Sequence, residues 1–179
     1  MDVDIDIELV KQCLKGNTKA FEQIVDKYQK PIFNVAYRIT SDYDEAEDIT
    51  QSVFIKVFEN LSKFDFRFKF FSWLYRIAIN ESLNVHNQIR PTDTIGDHVR
   101  CHDRNPEDIL QDKQRNQTIE TAIQRLPEDY RIVIILRHFQ NLSYSEIAGI
   151  LHVQEKTVKS RLFSARQQLK DLLIKTDIT

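Results

Sequence analysis

The residues best equipped for chemistry in this chain are of kinds that hold nucleic acid. Between Phe64 and Tyr75, in FDFRFKFFSWLY, five Phe, one Trp and one Tyr fall within twelve positions, with Arg67 and Lys69 set between the rings. Aromatic faces stack on unpaired bases while interleaved cations meet phosphate. A strand or a packed loop is the plain alternative, although one domain core cannot easily bury so many rings. The second set is residues 154–170, which hold five Lys and Arg against one Glu. Such groups neutralise phosphates and also donate to guanine edges, and the local charge favours DNA.

Each set needs an element to position it. Leu142–Leu173 reads as two helices with a tight turn. Ser143 with Glu146 three residues on forms a capping box. Ile147, Ala148, Ile150 and Leu151 are the apolar side of the first helix. His152, Val153 and Gln154 form the turn, and His tolerates a left-handed backbone better than most residues. From about Glu155 the second helix carries Val158, Leu162, Ala165, Leu169 and Leu172 as its buried stripe. Lys156, Lys159, Ser160, Arg161, Phe163, Ser164, Arg166 and Lys170 are left for solvent. A short helix, a turn and a longer basic helix is the helix-turn-helix plan, whose second helix enters the major groove. An ordinary helix pair with a solvated basic face is the alternative.

The chain has 179 residues, with only 3 Gly and 4 Pro, so long helices and an all-α fold are expected. The net charge of −2 is uneven. Residues 61–90 carry 5 basic and 2 acidic side chains and 113–179 carry 11 and 7, while 91–112 carry 2 and 6. Two basic blocks are therefore separated by an acidic linker. Two cysteines make no disulfide framework. No secretory signal and no apolar run near the ~20 residues of a membrane span is present. A soluble, reduced, cytoplasmic protein is expected.

In chain order, residues 1–8 read as a frayed acidic lead-in to a helix from about Ile7 to Lys15, stopped by Gly16-Asn17. Thr18 can cap the next helix, whose apolar face is Phe21, Ile24, Val25 and Tyr28. Pro31 interrupts it, and the pattern continues to about Thr40. Ser41-Asp42 opens a third helix, with Glu45 as its capping partner. Ile49, Val53, Val57 and Leu61 are spaced for the core. Glu45, Asp48, Gln51, Ser52, Ile55 and Glu59 form the other face, either a docking patch or merely a solvated one. From Ser72 to Arg90 another helix follows, with Trp73, Ile77, Ile79 and Leu83 inward and Arg76 and Asn80 outward or lining a groove. Residues 91–105 read as a flexible linker. Asn105-Pro106 starts a helix carried by Ile109, Ile119, Ala122, Ile123 and Leu126. Pro127 opens one in which Tyr130, Val133, Ile134 and Leu136 pack and Arg131, Arg137 and His138 point out.

Three motifs, in this order, carry a family resemblance: Asp44-Glu-Ala-Glu-Asp-Ile-Thr-Gln-Ser-Val-Phe54; Phe70-Phe-Ser-Trp-Leu-Tyr-Arg-Ile-Ala-Ile-Asn80; and Leu126-Pro-Glu-Asp-Tyr-Arg131 leading to Ser145-Glu-Ile-Ala148 and Thr157-Val-Lys-Ser-Arg161. Over nearly its whole length the chain resembles bacterial sigma factors of the extracytoplasmic-function (ECF) group. The resemblance implies two small helical domains: 1–90, which binds core polymerase and recognises and melts the −10 element, and 113–179, a helix-turn-helix that recognises the −35 element. A flexible linker over 91–112 would join them, threading into the polymerase. It implies that Asp48, Gln51, Ser52 and Ile55 meet core RNA polymerase, formed in part by its beta and beta-prime subunits. Phe66, Arg67, Phe68, Lys69, Arg76 and Asn80 would meet −10 DNA. Lys156, Thr157, Lys159, Ser160, Arg161, Phe163, Ser164 and Arg166 would meet −35 DNA, with Arg161 and Arg166 on phosphate. Ser52 stands where an acidic residue is common and Ser164 where Arg is frequent, and Phe66 and Phe68 replace small residues. Members of this group are commonly held by an anti-sigma protein, often membrane-bound.

Other classes fit less of the sequence. A helix-turn-helix regulator that acts without joining polymerase has no use for the 44–80 motifs. His86 and His102-Asp103 suggest a metal phosphohydrolase, but the pair lies in a Pro- and Gly-bearing linker, and no nucleophile elbow or phosphate-cradling Gly loop occurs. His98, Cys101 and His102 could be part of a metal site only with a ligand from elsewhere. No catalytic residue, metal or cofactor is expected, and no insertion into a membrane.

Overall fold

Local caps begin the helices of this chain. In the computed structural model, which describes residues 3–89 and 118–176, α1 is Val3–Leu14 and α2 is Thr18–Thr40. Gly16 between them takes a left-handed φ of 90°, a conformation that costs glycine little. The cap of α2 is Asn17 rather than Thr18, its side chain accepting from the Lys19 N–H at 3.1 Å. Pro31 sits inside α2 without ending it. Asp42 caps α3, Tyr43–Asn60, by accepting from the Glu45 N–H at 2.9 Å. A single 3₁₀ turn, Leu61–Lys63, leads to the loop before α4, Phe70–Ile89. Residues 118–124 are helical and are called α5. Then come α6, Glu128–Ile134, which runs into a π turn over Ile135–Phe139, α7, Tyr144–Leu151, and α8, Glu155–Thr176. No strand occurs among the described residues, as the all-α expectation requires.

The chain forms two compact units, one holding α1–α4 and the other α5, α6, α8 and most of α7. In the first, Ile24, Tyr28, Ile32, Val35 and Ile39 of α2 are buried with Ile49, Val53 and Val57 of α3, the α3 residues being those their spacing picks out. α1 starts at Val3, so the acidic lead-in is helix, and Asp6 is buried rather than frayed. Its carboxylate accepts from the Tyr28 hydroxyl and from the Lys27 ammonium, each at 2.5 Å. The buried stripe of α4 also differs from the expected one. Phe70, Leu74, Ala78 and Ser82 are buried at four-residue spacing, whereas Trp73, Ile77 and Leu83 are half-buried. Apolar residues surround most of the first three turns of α4, so periodicity alone selects no face.

In the second unit, Ala122, Ile123 and Leu126 are buried, and Ile119 is exposed despite its apolar character. Val133, Ile134 and Leu136 pack inward as expected. Arg131 does not point out: it is only 4% exposed. Its Nη2 donates to the carbonyls of Gln124 at 2.7 Å and Leu126 at 3.2 Å, groups that the end of α5 leaves without helical partners. Arg137 is half-buried and donates to the Leu142 carbonyl at 2.9 Å. The helix end at Arg90-Pro91, the linker 91–112, the Asn105-Pro106 helix start and the His98, Cys101, His102 set lie outside the described residues.

Candidate nucleic-acid and polymerase interfaces

The start of α7 and the turn between α7 and α8 are built by local chemistry. The Ser143 hydroxyl accepts from the Glu146 N–H at 3.3 Å, and the Glu146 carboxylate accepts from the Ser143 N–H at 2.8 Å, completing the capping box. His152 takes φ 55°, ψ 40°, and its N–H donates to the Ala148 carbonyl. This left-handed residue turns the chain into α8. Val158, Leu162 and Ala165 are buried, which fixes the rotation of α8 and leaves Lys156, Lys159, Ser160 and Phe163 along its exposed side. Phe163 is 66% exposed, too much for a core residue.

The cations of α8 are not equivalent. Lys159 Nζ lies 3.0 Å from the Glu155 carboxylate and 5.8 Å from the centre of the Tyr144 ring. Tyr144 also carries the Arg137 guanidinium at 5.2 Å, so one ring steadies two cations. Arg161 is half-buried, not solvent-facing, and pairs with Asp129 of α6 at 2.6 Å. Thr157 and Ser164 are half-buried on the same flank. Arg166 is exposed, with its Nη2 3.4 Å from His138 Nε2.

The aromatic segment divides into buried and displayed rings. Phe64 and Phe70 are buried and Trp73 is half-buried, with centroid separations of 5.4–5.9 Å among them. Phe66 and Phe68 remain 45% and 56% exposed. Phe66 is edge-on to Phe64 at 5.2 Å. The core therefore absorbs more of these rings than their number suggests, yet two stay on a surface turn. Lys69 Nζ is 5.6 Å from the Phe71 ring centre and Arg67 lies beside Phe68 at 6.0 Å. Arg76 and Asn80 follow one turn apart on α4; Asn80 is exposed, whereas Arg76 is half-buried.

On α3, Asp48, Gln51 and Ile55 are exposed and Ser52 is half-buried, along a stripe opposite Ile49, Val53 and Val57. Sequence reasoning missed Phe58 here. It is 56% exposed, one turn from Ile55, and rests edge-on against Phe21 of α2 at 5.0 Å. Its place in an aromatic-rich helix disguises it as core. Burial first, then the nearby Asp42, raises the Glu45 carboxyl above its ordinary range. No group of three or more His, Cys, Asp or Glu among the described residues could hold a metal ion. No described helix is long and apolar enough to cross a membrane.

The chain is similar to known proteins along nearly its whole length. Residues 24–90 match the family described as Sigma-70 region 2, and residues 116–169 match Sigma-70, region 4. The chain is 36% identical over 180 residues to the RNA polymerase sigma-H factor of Pseudomonas aeruginosa, spanning 94% of this chain and 93% of that one. It is 35% identical over 176 residues to the ECF RNA polymerase sigma factor SigW of Bacillus subtilis, spanning 92% and 94%. The fold is similar to that of CnrH in complex with the cytosolic domain of CnrY, with a TM-score of 0.77 at 23% identity over 96% of this chain and 98% of that one. It is also similar to the sigma factor RpoE in complex with the anti-sigma factor NepR from Bartonella quintana, with a TM-score of 0.69 at 24% identity over 87% and 97%. With regions 2 and 4 in order and kinship along nearly the whole chain, this protein belongs to the ECF group of sigma-70-family RNA polymerase sigma factors, which direct transcription to promoters.

Proposed function

We propose that this sigma factor joins core RNA polymerase through the α3 face of Asp48, Gln51, Ser52 and Ile55, extended by Phe58. Residues 1–90 take the −10 element and 113–179 the −35 element, joined through 91–112. Lys156, Thr157, Lys159, Ser160, Phe163 and Ser164 meet the bases and nearby backbone of the −35 element, while Arg166 meets phosphate directly and Arg161 does so on release from Asp129. Phe66, Arg67, Phe68 and Lys69, with Arg76 and Asn80, hold the non-template −10 strand. Unstacking a base costs a few kcal/mol, which ring stacking and phosphate contacts offset. The protein performs no bond chemistry itself and acts in the cytoplasm.

One observation carries the reading: Phe66 and Phe68 stay exposed beside Arg67 and Lys69 while the neighbouring Phe64 and Phe70 are buried. A regulator that binds only duplex has no use for such a platform. Two similar structures were solved with the cytosolic domain of CnrY or the anti-sigma factor NepR, so an anti-sigma protein, often membrane-bound in this group, is proposed as the inhibitory partner. Run-off transcription with purified core polymerase and a pool of promoters with varied −35 and −10 elements tests the proposal. Specific transcripts that vanish with Lys159→Ala plus Phe163→Ala are expected. Sequence-specific duplex binding without transcripts points instead to a regulator that acts apart from the polymerase.

A further inference from the structure

The loop between the 3₁₀ turn and α4 has its own internal clamp. Asp65 Oδ1 accepts from the Arg67 backbone N–H at 2.9 Å and from Arg67 Nε at 3.0 Å. Asp65 Oδ2 accepts from the same Nε at 2.8 Å and from Nη2 at 2.6 Å. The Asp65 carbonyl then accepts from the Phe68 N–H at 3.0 Å, closing the turn. One residue thus sets both the backbone of the loop and the plane of the only guanidinium in it. These bonds, above all those from the Arg67 side chain, hold the Asp65 carboxyl below its ordinary range.

The clamp matters because of what it leaves available. Asp65 occupies the Nε edge and one Nη2 hydrogen of the Arg67 fork, so the two Nη1 hydrogens and the second Nη2 hydrogen point away from it. Arg67 lies against Phe68, its guanidinium carbon 6.0 Å from the ring centre, and its side chain is 85% exposed. Phe66 is meanwhile anchored edge-on to Phe64. A free Arg side chain samples many rotamers and must be ordered when it binds; one already gripped by a carboxylate is pre-organised, so less freedom is lost. An acidic residue in a DNA-facing loop is otherwise unfavourable, since it repels phosphate.

We propose that Asp65 is a positioning residue for promoter opening: it holds the Arg67 guanidinium and the 65–68 turn so that Arg67 and Phe68 together receive one unpaired base of the −10 strand. This rests on the reading that the loop meets that strand. Asp65 does not touch the DNA itself. It acts through Arg67, and its negative charge offsets the Arg67 charge until a base or phosphate is present.

The test uses holoenzyme assembled from the full chain and core polymerase, with a fluorescent single-stranded oligonucleotide of the non-template −10 sequence and, in parallel, permanganate footprinting of the melted duplex promoter. Asp65→Asn keeps an acceptor for the Arg67 backbone N–H but loses the charged grip on its side chain. Binding of the oligonucleotide and promoter melting should each fall about tenfold, within the range set by losing one base stack. Arg67→Ala should fall as far, and the double variant no further, because residues acting as a unit are non-additive. Core binding and affinity for a −35 duplex should not change, which separates positioning from a general loss of fold. Tighter or unchanged oligonucleotide binding by Asp65→Asn overturns the proposal, since the carboxylate would then only repel DNA or do nothing. Additive losses in the double variant overturn it as well. If Phe68→Ala and Arg67→Ala both leave oligonucleotide binding intact, the −10 reading of the loop itself fails.

Discussion

The Asp129 carboxylate lies 2.6 Å from the Arg161 guanidinium, tying the first turn of α6 to the second turn of α8. Arg161 is thereby engaged while Lys156 on the same helix is exposed. Exposed ion pairs contribute about 0–1 kcal/mol, so Asp129→Asn should leave stability within that range. Its effect on DNA should be larger in kind. Freed of Asp129, Arg161 can turn to phosphate, and the slope of log affinity against log salt should steepen by about 0.9. Lys156→Ala should make it shallower by a similar amount. Fluorescence anisotropy with a −35 duplex at several salt concentrations measures both, and an unchanged slope for Asp129→Asn would count against the assignment.

Arg131 should be a stability residue, not a DNA contact. Arg131→Met keeps an unbranched stem but removes the donor to the Gln124 and Leu126 carbonyls. A loss of about 2–3 kcal/mol is expected, the range for a charge-assisted bond removed from buried acceptors. Urea unfolding gives the magnitude, and hydrogen exchange of the α6 amides shows whether the loss is local. A change below about 0.5 kcal/mol, as for an ordinary surface position, would return Arg131 to the exposed set.

Asp6 should matter to the first unit far more than an N-terminal acidic residue normally does. It is 1% exposed, and Asp6→Ala strands the buried Tyr28 hydroxyl at a cost of about 1–3 kcal/mol. Burial, reinforced by Asp6, raises the Tyr28 hydroxyl well above its ordinary range, so it stays a donor. Combining Asp6→Ala with Tyr28→Phe should recover part of the loss, because both partners are then apolar. Thermal melts of the three variants check this, and equal losses in the single and double variants would contradict it.

His138 supplies a pH dependence with a definite sign. Burial, then Arg166 and Arg137, hold its imidazole below the ordinary 6.5. Between that folded value and about 6.5 the unfolded chain binds more protons than the folded one. Stability should therefore be full above about pH 6.5 and decline as pH falls below it. His138→Gln should flatten the decline between pH 7.5 and 5.5 in thermal melts. Equal slopes for the two proteins would remove His138 from the account.

Much of the recognition machinery is legible in the residues because it is local. Ser143 with Glu146, and His152 at the turn, act within a few positions of themselves, so capping chemistry and backbone preference are enough to place α7 and the start of α8. The two unlike faces of α3 are equally readable, since Ile49, Val53 and Val57 repeat at helical spacing with polar residues between them. Along α4 the same reasoning chose a neighbouring stripe. Trp73 and Ile77 are as apolar as Phe70 and Leu74, and only the position of α2 and α3 decides which pair is covered.

The helices, the basic face of α8 and the aromatic loop are legible in the residues alone, because caps, period and charge are properties of neighbouring residues. Packing between helices selects which charges find partners within the protein. Asp6 finds Tyr28 across 22 positions and Arg131 reaches back to the end of α5, while Asp129 holds Arg161 at the surface. The physical reason is desolvation: a charge enters a packed interior only where partners converge on it, and that convergence exists only once the helices have packed.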